Sequence, residues 1–332
     1  MVEQLNIGVV GVGHLGSLHV KMLSDISSVR LAGVYDCDQK KAQSIAAEFN
    51  TLPCESLQEL LGRVDAVTIA TSTVAHYDIA RAALHHGKHL FIEKPITQTV
   101  TEADELCCLA QKKGLLLQVG HIERFNPAIL ALEKYSLEPM FIESHRLSQF
   151  NPRGTDVAVV LDLMIHDIDL ILTFVRSPVV RVDANGVAVV SDSVDIANAR
   201  LQFENGCVAN VTASRISQRK MRKMRLFQKR EYISIDFSEG LAEVFRLVED
   251  DDAHGEKGTM MLGEIGSGKN KRKIIYEQPE VKDVNSLKYE LDLFAKAIRE
   301  HSQPVVTGED GKRALEVANI IIEKIGQQTV SL

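Results

Sequence analysis

The sequence predicts an α/β protein of two domains. An N-terminal doubly wound parallel sheet is followed by an α/β domain built on a large, mainly antiparallel open sheet. Three observations predict this. Short apolar runs alternate with segments of helical periodicity as far as Gly120. The first run ends in Gly11-x-Gly13-x-x-Gly16 and passes directly into a helical segment. Beyond Gly120 the alternation gives way to closely spaced strand-like segments. At 332 residues the chain is too long for one ordinary domain and comfortable for two. The boundary is expected between residues 122 and 123, with the last helix able to pack back on the first domain.

In the first domain, strands are expected at 6–10, 30–36, 66–70, 89–92 and 115–119. Each is short, apolar and often β-branched, as in parallel strands covered on both faces. Helices are expected at 15–25, 39–49, 57–61, 76–86 and 100–113, and Gly87 and Gly114 stand where helices end. Residues 121–135 read as a loop and then a helix. Residues 141–149 alternate as a half-buried strand. Residues 154–174 read as one helix with a charged interruption, Asp162-Leu163-Met164-Ile165-His166-Asp167-Ile168-Asp169. Further strands are expected at 179–190, 196–203, 207–214, 223–228, 232–236, 242–248 and 273–276, with Asn205-Gly206 as a hairpin turn. The polar, glycine-rich stretch 249–273 reads as a mobile loop. An amphipathic helix follows at 286–300, and Thr307-Gly308-Glu309-Asp310 leads into a last helix at 312–325. A long open sheet needs its second face covered, which a partner subunit would do.

A doubly wound sheet binds ligands beyond the carboxyl ends of its strands. At the first of these ends, Gly11 allows the tight turn, Gly13 lets the backbone approach a pyrophosphate, and Gly16 lets helix and strand pack closely. The helix N-terminus then offers free N–H groups and the positive end of its dipole to the phosphates. Asp36 follows Gly16 by 20 residues and closes the second strand. An acid there accepts the hydrogen bonds of an adenosine ribose and repels a 2′-phosphate, which predicts NAD in preference to NADP. Candidate cofactor contacts are Gly11, Gly13, His14, Leu15, Gly16, Asp36, Thr71, Ser72, Glu93 and Lys94.

Composition narrows the function. With 45% hydrophobic and 25% charged residues the chain reads as a globular protein, and its net charge of −7 argues against general nucleic-acid binding. No leader and no apolar run of membrane-spanning length is seen, so a cytoplasmic location is expected. The five cysteines form no C-x-x-C pair and read as reduced thiols.

Lys94 ends the fourth strand, where the nicotinamide end of a dinucleotide should reach. Pro95 restricts it to extended backbone, and the peptide between them could be cis. A partly desolvated lysine there can relay a proton or bind a substrate hydroxyl, with Glu93 to orient it; a surface lysine at a strand end would look the same. Asp162 and His166 are four apart and share a helix face, so His166 could take a hydroxyl proton while Asp162 or Asp169 fixes its tautomer. A hydrogen-bonded core histidine has the same pattern. No metal site is expected, since nothing is spaced to complete one around His166, Asp167 and Asp169. Arg124, Asn126, Arg146 and Arg153 are basic and polar candidates near the expected cleft, where an arginine can clamp a phosphate or carboxylate. The run 215–230 carries eight lysines and arginines. It reads as a solvated sheet face, a subunit contact, or a site for an anionic substrate group.

These residues together resemble a family. Gly11-x-Gly13-x-x-Gly16 with His19, Ala70-Thr71 followed by His76, Glu93-Lys94-Pro95 and Asp162-x-x-x-His166 occur in the order of the glucose–fructose oxidoreductase/inositol dehydrogenase (Gfo/Idh/MocA) family. The resemblance continues to Pro304-Val305-Val306-Thr307-Gly308-Glu309-Asp310-Gly311. It implies an N-terminal Rossmann domain and a C-terminal α/β domain whose open sheet is used in forming a homodimer or homotetramer. It further implies that Lys94 and His166 are catalytic, with Asp162 beside them, and adds His76 to the cofactor side. Val119-Gly120-His121-Ile122-Glu123-Arg124-Phe125-Asn126-Pro127 and Thr155-Asp156-Val157 are similar to the nucleotide-sugar branch, the UDP-N-acetylglucosamine 3-dehydrogenases. That branch implies oxidation of the sugar C3 hydroxyl with NAD. A free sugar or polyol as substrate, or a non-catalytic NAD-binding sensor, are the alternatives.

Overall fold

The computed structural model describes residues 4–151, 157–249, 259–266 and 271–329. The chain begins β1 (Leu5–Val10), α1 (His14–Ser24), β2 (Val29–Tyr35), α2 (Gln39–Glu48), α3 (Leu57–Leu61), β3 (Ala66–Ile69), α4 (Thr73–His85), β4 (His89–Glu93), α5 (Val100–Lys113) and β5 (Leu117–Gly120). A 3-10 turn (Ile122–Phe125), α6 (Pro127–Leu130), β6 (Phe141–Leu147), a π turn (Val160–Met164) and α7 (Ile165–Val175) follow. Then come β7 (Val179–Val187), β8 (Ile196–Phe203), β9 (Val208–Ser214), β10 (Met221–Gln228), β11 (Glu231–Asp236), β12 (Leu241–Val248), β13 (Thr259–Ile265), β14 (Arg272–Glu277), α8 (Ser286–Glu300) and α9 (Gly308–Thr329). Contacts divide the chain into one unit of residues 1–122 with 285–316 and a second of 123–284 with 317–332. No described helix is long and apolar enough to cross a membrane.

In the first unit the strands run β2-β1-β3-β4-β5, every pair parallel. All four residues of β3 and of β5 are buried, which is why these strands are mostly apolar, Thr68 and Gln118 excepted. The helices start where short polar side chains can cap them. Asp38 accepts from the amides of Lys40 and Lys41, Ser56 from Glu59, and Thr99 forms a capping box with Glu102. Gly114 ends α5 in the left-handed conformation. α8 belongs to this unit and sets Leu287, Leu291, Phe294 and Ile298 into a core shared with α1, β1 and β4. Phe294 meets Phe91 edge to face at 5.8 Å. The chain leaves β1 to one side for β2 and crosses back for β3, so the order reverses beside β1. Ligands of such sheets bind at that crevice.

In the second unit the described strands form a nine-stranded sheet, β13-β14-β12-β11-β10-β6-β9-β8-β7. Only β6 and β9 pair in parallel. Burial alternates along β6, along β8 and along β9 as far as Ala213, so one face is packed and the other is more open. The hairpin between β8 and β9 turns at Asn205-Gly206, with Gly206 at φ 87°.

The structure corrects four expectations. The stretch 249–273, read as a loop, contains β13, which among the described strands lies at the sheet edge and pairs with β14. Its apolar core is just Met260-Met261-Leu262 within a polar surround, and a bulge between Met261 and Gly263 breaks its alternation. The strand expected to reach residue 190 ends at Val187, because buried Asp195 accepts the amides of Val189, Val190 and Ser191 and folds that segment into a loop. The helix expected within 121–135 shrinks to the 3-10 turn and the four-residue α6. The single helix expected at 154–174 is a π turn running into α7, while residues 152–156 lie outside the described residues.

Candidate active site

Three features at the carboxyl end of β1 test whether a dinucleotide fits. Gly11 has φ 83°, and a Cβ on Gly16 would stand 1.8 Å from the Gly11 carbonyl oxygen, so both positions require glycine. A Cβ on Gly13 would meet no protein atom within 4 Å, so that side of the turn is open. Gly13 caps α1 with no side-chain hydrogen bond, which leaves the first amides of α1 for an anion. Half-buried Asp36 stands at the end of β2. Its Oδ2 accepts from the Val12 amide at 2.8 Å and its Oδ1 from the Asp38 amide at 2.9 Å. Burial works against ionisation here, but these amides outweigh it and hold the carboxyl below its ordinary range. Asp36 is therefore a fixed carboxylate beside the glycine turn, as ribose binding needs. His14 and Leu15 open α1 and are exposed; Thr71 and Ser72 lie at the neighbouring end of β3. This cradle fits NAD.

At the end of β4, Glu93 is buried and its Oε1 lies 2.9 Å from Nε2 of His19, a fully buried ring on α1. The space for that carboxylate is made by Gly120 on β5, where a Cβ would come within 2.9 Å of Cδ, Oε1 and Oε2 of Glu93. Lys94 is half-buried, and the Lys94-Pro95 peptide is cis. His76 lies beneath this turn, with Nδ1 3.0 Å from the Pro95 carbonyl and Nε2 3.2 Å from that of Thr71. Burial pushes His76 below the ordinary histidine range in spite of those carbonyls, so the ring is neutral. A neutral ring has one N–H, and the shorter contact assigns it to Pro95. His76 thus braces the turn at the end of β4 through that one N–H.

In the second unit, Asp162 lies in the π turn and His166 in the first turn of α7, both half-buried. A π turn at this point interrupts the regular i, i+4 register that the sequence reading assumed between them. The two acids that follow are buried and taken by arginines. Arg146 donates from Nε and Nη2 to Asp167, the shortest contact being 2.7 Å, and from Nη1 to Glu123 at 2.8 Å. Arg124 grips Asp169 with Nε at 2.8 Å and Nη2 at 2.6 Å. Burial pushes the Asp167 carboxyl up against the pull of Arg146, while the two acids keep the Arg146 guanidinium charged at any accessible pH. The carboxylates of Asp167 and Asp169 are thus spent on arginines, and no group of three or more described His, Cys, Asp or Glu could hold a metal.

This changes the standing of the polar residues expected to bind phosphate or sugar. Arg146 is 3% exposed and its fork is filled from inside. Arg124 is committed to Asp169. Asn126 caps α6 through the Ala128 amide and donates to Glu123 and to the Phe237 carbonyl. Arg153 lies outside the described residues. What the sequence reading missed is the network itself, Glu123–Arg146–Asp167 beside Arg124–Asp169. Its one available signal was charge complementarity between Glu123-Arg124 and Asp167-x-Asp169.

Residues 5–121 match the model of an oxidoreductase family with an NAD-binding Rossmann fold, and residues 138–242 match the GFO/IDH/MocA C-terminal domain. UDP-N-acetylglucosamine 3-dehydrogenase of Acidithiobacillus ferrooxidans is 38% identical over 315 residues, 95% of each chain. The solved structure of UDP-N-acetylglucosamine 3-dehydrogenase GnnA from that organism superposes with a TM-score of 0.86 at 35% identity, covering 97% of this chain and 98% of its own. Myo-inositol 2-dehydrogenase of Thermotoga maritima is 24% identical over 94% of this chain and 93% of its own.

Proposed function

The chain belongs to the GFO/IDH/MocA family of NAD-binding oxidoreductases, and on that premise we propose that it oxidises the 3-hydroxyl of UDP-N-acetylglucosamine or a closely related UDP-sugar to a ketone. The observation that carries the substrate is the 38% identity, spread over 95% of both chains, to an enzyme named for that reaction. Residues 1–122, joined by 285–316, bind NAD, and the remainder from residue 123 supplies the substrate-binding and oligomerisation surfaces. The glycine turn and α1 hold the pyrophosphate, and Asp36 accepts the ribose hydroxyls and repels a 2′-phosphate. Bound NAD supplies the hydride acceptor.

Lys94 and His166 divide the proton work on the substrate hydroxyl. One takes its proton as the carbon is oxidised, and the other stabilises the negative charge that develops on the oxygen. Asp162 orients His166. Glu93, held by His19 and by the space above Gly120, supports the backbone that presents Lys94. Arg124 and Arg146 fix the first turn of α7 through Asp169 and Asp167. The test is purified protein with NAD and a panel of UDP-sugars, free N-acetylglucosamine and inositol, following reduced cofactor by absorbance. Turnover is expected with the UDP-sugar, and Lys94→Ala and His166→Ala should each lower kcat by about 10²–10⁴. Near-normal turnover with both replaced refutes the assignment. Turnover on inositol alone would place the chain with the inositol-dehydrogenase relatives.

The enzyme acts in the cytoplasm as a homodimer or homotetramer through the open sheet face. Supporting this, Phe141, Phe227, Tyr232, Phe245 and Tyr276 occupy one rung across five neighbouring strands, with successive ring centroids 5.1–5.8 Å apart. Such a half-buried aromatic ladder is a large apolar stripe for a sheet to leave wet. Tyr232→Glu with Phe245→Glu should dissociate the oligomer in light scattering. An unchanged mass rules out this face.

A further inference from the structure

The structure sorts the positive run at 215–230. Lys223 pairs with Asp236 at 3.0 Å, Arg225 with Glu143 at 3.4 Å and Arg230 with Glu249 at 3.4 Å. Buried Arg215 donates to the carbonyl of Val157. Arg222 lies 3.7 Å from Glu123, but that oxygen already accepts from Arg146 at 2.8 Å, so Arg222 is only partly neutralised. Arg219 and Lys220 are exposed, and neither forms a salt bridge with a described acid. Apart from exposed Lys229 at the other end of β10, the cations of the run without a close acid of their own lie together, in the turn from β9 to β10 and at the start of β10.

That turn is held in place. β6 and β9 run parallel and end together, and β10 begins at the same end of the sheet. The Ser148 amide donates to the Ser214 carbonyl at 2.7 Å, Ser217 to Ser148 at 2.9 Å, and the Gln149 side chain to the Gln218 carbonyl at 3.0 Å. The cations consequently sit on a braced turn beside the segment that leads to the π turn and α7. Arg222 is also the cross-strand partner of Arg146, which holds Asp167, the neighbour of His166. The basic rim and the helix bearing His166 are built on one end and one face of the same sheet.

We propose that Arg219, Lys220 and Arg222 form the subsite for the diphosphate of the nucleotide-sugar substrate. This rests on the reading of the substrate given above and goes beyond it by assigning the phosphate contacts. Two arginine forks and an ammonium match the oxygens of a diphosphate, and charge-assisted bonds of this kind are the strong ones. A chain of net charge −7 repels an anionic substrate at long range. A local positive turn reverses that field near itself and attracts a diphosphate.

The experiment uses the full-length, NAD-loaded protein and titrates UDP by calorimetry. Alongside it, kcat/KM is measured with UDP-N-acetylglucosamine. Arg219→Ala/Lys220→Ala should weaken UDP binding and lower kcat/KM by about tenfold or more, on the scale where tenfold is 1.4 kcal/mol. NAD affinity and melting temperature should be unchanged. The salt dependence of KM should flatten, since the lost contacts are ionic. Lys220→Glu alone should act in the same direction, and Arg219→Lys/Lys220→Arg should recover most of the binding. Lys229→Ala, an exposed cation at the other end of β10, should behave as wild type. Wild-type UDP affinity in Arg219→Ala/Lys220→Ala overturns this subsite and leaves the UDP-sugar reading standing. A wild-type protein that binds neither UDP nor the UDP-sugar overturns both.

Discussion

Replacing Arg146 with methionine removes one cation from the interior and leaves two acids there. Arg146 is 3% exposed, Asp167 1% and Glu123 7%. Its guanidinium meets Asp167 with two nitrogens and Glu123 with the third. Methionine nearly conserves volume, so the loss is electrostatic rather than steric. Removing one member of a buried pair costs about 3–5 kcal/mol, because the surviving charge keeps its desolvation penalty and loses its partner. For a domain of this size 1 kcal/mol lowers the melting temperature by about 2–4 °C. Arg146→Met should therefore melt about 6–20 °C lower. Arg146→Met/Asp167→Leu removes the acid as well and should regain a large part of that loss; Glu123 keeps Asn126 and gains Arg222. Arg146→Lys should fall between, since a point charge cannot serve both acids in the plane of the fork. Thermal unfolding by circular dichroism reads all three. A melting temperature for Arg146→Met within about 2 °C of wild type, or a double variant less stable than the single one, refutes the view that this pair is held by mutual charge. Because Asp167 adjoins His166, kcat should fall in the single variant and recover in part in the double one.

Three further outcomes follow from the geometry. Gly120→Ala sets a Cβ 2.9 Å from the Glu93 carboxylate and forces it off His19, so it should cost about 1–3 kcal/mol in urea unfolding and lower turnover; wild-type values for both would show that Glu93 moves freely. Asp36→Ala removes the ribose acceptor and its charge, so kcat/KM with NAD should fall about tenfold or more while activity with NADP rises relative to it; an unchanged NAD-to-NADP ratio would count against Asp36 as the discriminating group. Asp195 is buried, yet the hydroxyl of Ser191 and the amides of residues 189–191 hold its carboxyl far below the ordinary range. A lowered folded pKa contributes stability that is complete above the unfolded value of about 3.9 and is lost as pH falls through the folded one. Asp195→Asn should thus melt lower than wild type at neutral pH and show a flatter loss of melting temperature on acidification below about pH 4; parallel profiles would exclude that contribution.

The first unit was legible because its signals are local. β3 and β5 are buried on both faces, so their residues are mostly apolar, with Thr68 and Gln118 as the buried polar exceptions, and the caps Asp38, Ser56, Thr99 and Gly114 lie within a few residues of what they cap. The predicted ends differ from the observed ones by a residue or two in most elements, which is the ordinary fraying of boundaries. β13 was illegible because an exposed edge strand of seven residues has no alternating buried face. The π turn was illegible because nothing in Val160-Leu161-Asp162-Leu163-Met164 distinguishes it from α-helix.

The arginines show where local reading stops. By residue type, Arg146, Arg225 and Arg219 are the same candidate phosphate ligand. Their roles separate only through acids remote in sequence: Asp167 and Glu123 for Arg146, Glu143 for Arg225, and no described acid for Arg219. Each of those acids is brought in by sheet register or helix packing, over separations of 21 residues for Asp167 and 82 for Glu143. An arginine beside a buried carboxylate is drawn inside and becomes part of the scaffold; one opposite an exposed carboxylate becomes a cross-strand pair; one left without either keeps its charge for a ligand. Burial and neutralisation thus decide which cations remain available, and they move the anion-binding candidates from Arg124 and Arg146 to the turn carrying Arg219 and Lys220.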